Sequence, residues 1–134
     1  MIGSRRKARE VAMQSLYWSE SSDDPIQQTV RTMALRVGLT VEATGFATRL
    51  AEAAWEHRGV ADEQIAEASE NWALERMSRV DRILLRLALT EIELFEDVPV
   101  NVSIDEAIEL SKRFSVEKAP AFINGILDAV VKKQ

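Results

Sequence analysis

The sequence predicts an all-α fold of about seven helices, on three observations. Only five glycines and three prolines interrupt 134 residues. Apolar residues recur three and four positions apart, the spacing of one helix face. Strict period-two alternation, the mark of a half-buried strand, is absent. A chain of this length supports one domain with a substantial core, so residues 1–134 are expected to form a single helical domain.

The first helix is expected to begin after Ser4, a good N-cap residue, and to run to about Ser19. Ala8, Val11, Ala12, Ser15 and Trp18 share one side of it and are expected to face the core. The run Ser21, Ser22, Asp23, Asp24, Pro25 reads as a loop, with Asp24 capping a second helix and Pro25 in its first turn. That helix should fade at Val37 and Gly38. Thr40 is the expected cap of a third helix, with Val41, Phe46, Leu50 and Ala54 as apolar positions, ending near Arg58 and Gly59. A fourth helix is expected over roughly 61–68. Asn71 and Trp72 follow in a connection, where the indole is expected to plug a gap between helices.

The fifth helix, from about Ser78 to Phe95, is apolar nearly all round and is therefore expected to be central. Asp97, Val98 and Pro99 should end it. Ser103 and Glu106 have capping-box spacing and should open a sixth helix that reaches Phe114. The seventh starts after Ser115, tolerates Pro120 in its first turn, and turns Phe122, Ile123, Ile126, Leu127 and Val130 inward.

Charge is distributed unevenly. Residues 1–18 hold Arg5, Arg6, Lys7 and Arg9 against Glu10, a net +3; the whole chain is −5, which leaves −8 for the remainder. A positive patch on an acidic protein is a candidate footprint for a polyanion such as RNA or DNA. On a wheel of about 100° per residue, Arg6, Arg9, Met13 and Tyr17 lie within about 80° of one another, turned away from Ala8, Val11 and Ser15. Lys7 and Gln14 border them. This set offers cations for phosphates, an amide for base edges and a ring for stacking, the ingredients of single-strand recognition. The structural alternative is a solvated basic helix face.

Arg76, Arg79, Arg82 and Arg86 form a second basic stripe. It either extends a phosphate track or pairs with Glu75, Asp81 or the acidic sixth helix; for Arg86, beside the greasiest positions, the structural reading is preferred. Other chemistry is poorly represented. There is no cysteine and one histidine, His57, expected at a helix C-terminus, so thiolate nucleophiles are excluded and zinc sites nearly so. Cysteine absence suits a reducing cytoplasm. No glycine-rich phosphate loop is present. Glu91 falls in an apolar stripe without a catalytic companion, and Asp105, Glu106 and Glu109 read as dipole-favoured charges rather than metal ligands. Gly125 within a helix suggests close approach of another backbone or of a ligand, with the structural reading preferred, and Asn124 and Asp128 share a face. No cofactor is expected. No stretch approaches the ~20 apolar residues needed to span a bilayer. The charged start is not expected to be a secretory signal, and its apolar face is expected to serve the core rather than a transit peptide.

Four stretches carry a resemblance: RRKAREVAMQSLYW, ERMSRVDRILLRLALTEIEL, VPVNVSIDEAIELSKRF and FINGILD. They are similar, in order through the chain, to the NusB family of bacterial transcription antitermination factors, while residues 21–70 match only in length and helical pattern. The resemblance implies two packed helical bundles and no enzymatic activity. It implies binding of the boxA element of nascent RNA, as in ribosomal RNA leaders, together with NusE, a small-subunit ribosomal protein. Contact with other Nus factors and RNA polymerase would be indirect. A homodimer that hides the RNA face is an open alternative.

Position by position, the resemblance marks Arg5, Arg6, Lys7 and Arg9 as the arginine-rich RNA-binding start, and Tyr17 with Gln14 as the aromatic contact on the same helix. Asp81 matches an acidic residue near the junction of RNA and NusE. Phe122 and Asn124 match a motif bordering the RNA. Lys118 stands where an acidic or polar residue is expected, a departure that adds phosphate attraction. NusE is expected on the fourth to sixth helices. Two rival readings remain at this stage: a helical protein–protein adaptor without direct RNA binding, and an accessory domain of an RNA methyltransferase, whose cofactor motif this chain lacks.

Overall fold

The computed structural model describes residues 3–69 and 76–133. Among these residues it has six helices and no strand: α1 Arg5–Ser19, α2 Ile26–Val37, α3 Val41–Ala68, α4 Arg79–Leu94, α5 Val100–Phe114 and α6 Ala119–Lys132. The chain divides into two compact units, Met1–Glu56 and His57–Gln134, with the division inside α3. Asn71 and Trp72 lie outside the described residues.

In the first unit α1 packs on α2. Ser4 caps α1 as expected, its Oγ accepting the Arg6 N–H at 3.1 Å. Ala8, Val11, Ala12, Ser15 and Leu16 are buried, and the Ser15 hydroxyl reaches Met33 Sδ at 3.5 Å. Trp18 departs from expectation: it is 51% exposed, and its indole N–H donates to Asp24 Oδ2 at 3.3 Å. Asp24 is thereby taken from the capping role assigned to it. Pro25 is the N-cap of α2, and no side chain bonds there. Gly38, at φ 71°, ends α2 in the left-handed region that glycine tolerates. Thr40 then caps α3, its Oγ1 accepting the Ala43 N–H at 3.1 Å.

The third and fourth helices expected from the sequence are one. Gly59 does not stop α3, because a glycine ends a helix only where the chain also turns away, and here burial continues on the same face. Ala43, Phe46, Ala47, Leu50, Ala51, Ala54, Ala61 and Ile65 are all buried. That regular stripe outweighs the roughly 1 kcal/mol that an interior glycine costs. Val41, expected to be apolar core, is 84% exposed in the first turn. His57 consequently sits inside a helix rather than at its end, and its Nε2 lies 2.9 Å from Glu93 Oε2.

The second unit is built around α4, which packs on both α5 and α6, while α5 packs on α6. Ile83, Leu84, Leu85, Leu87, Ala88 and Leu89 are buried, as the all-round apolar pattern predicted. Ser78 caps α4 by accepting the Asp81 N–H at 3.1 Å. Arg86 lies against Asp62 on α3, its Nε and Nη2 each 2.7 Å from a carboxylate oxygen; this bidentate pair is structural. Ser103 is not a cap. α5 begins three residues earlier behind Pro99, and Ser103 lies buried within it, donating to Glu91 Oε1 at 2.6 Å. A buried carboxylate needs a donor, and that need places the serine inside.

The two glycines make opposite expectations. Gly38→Ala should destabilise by about 1 kcal/mol, because its φ is positive. Gly59→Ala should stabilise by roughly 0.5–1 kcal/mol, because the site is helical and a Cβ there meets nothing within 4 Å. Urea unfolding of both variants reads the signs directly.

Candidate nucleic-acid interface

The proposed contact residues divide between the two units. Arg5, Arg6, Lys7, Arg9, Gln14 and Tyr17 ride on α1 in the first; Asp81, Lys118, Phe122 and Asn124 belong to the second.

On α1, Arg5 and Arg6 are exposed in the first turn, and Tyr17 is 44% exposed near the other end. Gln14 and Lys7 are half-buried, and Lys7 Nζ lies 3.2 Å from Glu10 Oε2 one turn on. Arg9 and Met13 are not on an open face. Arg9 is only 6% exposed and Met13 is buried, because α1 is covered on a wider arc than its small apolar residues suggest. The Arg9 guanidinium sits over the Phe46 ring, 5.3 Å from its centroid. Arg5 lies over the same ring at 4.4 Å, and Arg49 of α3 at 6.0 Å. One buried aromatic ring therefore gathers three guanidinium groups from two helices. Arg49 escaped the sequence reading. The available signal was an arginine three residues after a core phenylalanine, a same-face spacing on a helix.

In the second unit, an apolar hollow of about 440 Å³ is lined by Arg76, Met77, Asp81, Val116, Lys118 and Phe122, among others. Three of the proposed site residues are thus brought together, and Arg76 from the basic stripe joins them. Asp81 is buried and accepts the Ser115 hydroxyl at 2.6 Å. Phe122 is half-buried and Lys118 exposed, so the hollow combines a ring, an apolar floor and two cations. Asn124 is exposed on α6 and does not line it. Neither Asn124 nor Asp128 bonds another described residue through its side chain. Gly125 is exposed with nothing within 4 Å of a Cβ position, so close packing does not account for it. Among the described residues no three His, Cys, Asp or Glu side chains could hold a metal ion, and no helix is long and apolar enough to cross a membrane.

Residues 6–132 match the NusB family. The chain belongs to the NusB family. The transcription antitermination protein NusB of Trichlorobacter lovleyi is 41% identical over 127 residues, covering 95% of this chain and 89% of the relative. NusB of T. maritima superimposes with a TM-score of 0.90 at 35% identity, over 100% of this chain and 94% of that one. A structure of the antitermination factors NusB and NusE in complex with dsRNA shares the fold, with a TM-score of 0.85 at 24% identity over 97% of each chain. These matches carry the NusB likeness across 21–70, the part where motifs were silent.

Ser115→Ala strips a buried carboxylate of a donor and should lower stability by about 1–3 kcal/mol. Ser115→Thr, which keeps the hydroxyl, should recover most of the loss in the same thermal or urea melts.

Proposed function

We propose that the chain is a transcription antitermination factor that binds boxA RNA together with NusE and so supports processive transcription of ribosomal RNA operons. The observation that carries this reading is the exposure of Arg5, Arg6 and Tyr17 on one helix of a NusB-family chain whose remaining charge is acidic. Cations at a helix N-terminus meet phosphates where the helix dipole is also favourable. An exposed phenol ring one helix length away offers a stacking surface to an unpaired base.

In this reading Arg5, Arg6 and Lys7 supply salt-dependent affinity, and Gln14 and Tyr17 orient the strand. Arg9 acts from beneath, as a charge held on Phe46. Asp81, Lys118, Phe122 and Asn124 form a second contact set. Phe122 and the apolar floor take a base or a NusE side chain, and Lys118 with Arg76 draws phosphate. The whole of 1–134 acts as one functional domain, without catalysis or cofactor, in the cytoplasm. Because most of the protein is acidic, its own hold on RNA is modest, and NusE adds the contacts that make the complex tight. Other Nus factors and RNA polymerase are reached through that complex.

The test is a salt titration of boxA RNA binding, with and without NusE. Binding should strengthen when NusE is present and weaken steeply with salt. A protein-only adaptor would show no RNA affinity in either arm, and a self-associating form would lose RNA binding as protein concentration rises.

Replacing Arg5 and Arg6 together by alanine should flatten the log–log salt slope by about 1.4 if each covers one phosphate of a single strand. The loss of stability should stay within about 1 kcal/mol, since both residues are exposed and Arg5 gives up a ring contact at an exposed site. Tyr17→Ala should cost about 1–3 kcal/mol of binding with little change in salt slope.

A further inference from the structure

We infer that Arg49 on α3 is a phosphate-binding residue of the RNA surface, completing with Arg5 a site organised on the Phe46 ring. The inference rests on the RNA-binding reading of α1 and adds to it a residue from a different helix.

The geometry is specific. Phe46 is almost wholly buried, and its ring carries the guanidinium groups of Arg5, Arg9 and Arg49 at 4.4, 5.3 and 6.0 Å. The three differ in access. Arg9 is buried, whereas Arg5 and Arg49 are exposed. Of the three, Arg5 and Arg49 are therefore the groups that a phosphate can reach.

Two of the charged groups on α3 are held by partners from α4, and Arg49 is held differently. Arg86 and Glu93 occupy Asp62 and His57 on this helix through close pairs. Among the described residues Arg49 has no ion pair or hydrogen bond through its guanidinium; it meets the ring instead. Its Nη1 lies 3.6 Å from where a Cβ of Gly45 would stand, so the side chain folds back along α3 over a residue that has none. A cation held by a ring face keeps its N–H edges directed outward, since the face contact uses the π-cloud and not the donors. The Arg49 guanidinium stands on the ring with that of Arg5, so one anion can meet both exposed groups from two helices. A phosphodiester of the strand lying along α1 supplies that anion, and the planar fork of Arg49 fits it in two-point fashion.

Arg49→Ala tests the assignment with boxA RNA and NusE present. Loss of one phosphate contact on a single strand flattens the salt slope by about 0.7, which is about a fivefold loss of affinity at 0.1 M salt and none near 1 M. Arg49→Lys should keep the slope and lose part of the affinity. Arg31→Ala, which removes the same charge from exposed α2, should leave the slope unchanged. Should Arg49→Ala lower the thermal midpoint, Arg49→Gln keeps a stem over the ring and reads the same charge loss. Wild-type slope in Arg49→Ala and Arg49→Gln, with the slope still flattened in the Arg5/Arg6 double variant, overturns the role of Arg49 and leaves the RNA reading standing. Equal losses for Arg31 and Arg49 overturn it as well, by reducing it to general charge. Absence of RNA binding by the unaltered protein with NusE overturns both.

Discussion

The contact of guanidinium groups with the buried Phe46 ring decides what α1 can do. A helix that gives its small residues to the core normally has to choose for its long cations between open water and an internal carboxylate. Phe46 supplies a third answer. Its ring face attracts a cation, so Arg9 is drawn out of water against the same ring that holds Arg5 and Arg49. The ring contact partly offsets the cost of desolvating the arginine. Ser4, by capping the first turn, fixes where Arg5 and Arg6 emerge relative to that ring. The positive end of an acidic protein is thus set by packing as much as by composition.

The second unit uses the reverse device, buried carboxylates held by serine hydroxyls. Glu91 and Ser103 join α4 to α5, and Asp81 and Ser115 join the start of α4 to the segment before α6. Each bond is short and each carboxylate is buried, so each pair fixes a register that apolar packing alone leaves free to slip. The Asp81 pair also frames the hollow between Met77, Val116 and Phe122. A side chain read from the sequence as a contact residue is therefore also a strut. Asp81 shapes the wall on which Phe122 and Lys118 stand, whatever it touches directly.

Most of the fold was legible because helical periodicity is a direct consequence of one-sided burial. The caps at Ser4, Thr40 and Ser78 and the end of α2 at Gly38 follow from local chemistry and stand where the sequence puts them. The failures share a cause: a residue with a strong local preference was claimed by a distant partner. Asp24 takes the Trp18 indole, Ser103 goes to Glu91, and Gly59 is carried through by a buried stripe that continues past it. The site was legible to a similar degree. Arg6 and Tyr17 are exposed as the helical wheel requires, but the wheel placed Arg9 and Met13 in solvent, since it cannot show how wide an arc neighbouring helices cover. Arg49 was invisible for the same reason, because its meaning comes from a ring shared with another helix.

These two devices assign different work to the two units. Cations gathered on an aromatic ring give affinity that is long-ranged, salt-sensitive and indifferent to sequence. A hollow with a half-buried ring, an apolar floor and fixed walls gives contact that is short-ranged and shape-dependent. On the proposed function, the cationic set by itself would hold any strand weakly, since the remaining charge of the chain repels RNA. Under the proposed function each set would give only part of the recognition, and a partner that contributes further contacts would multiply their effect rather than add to it.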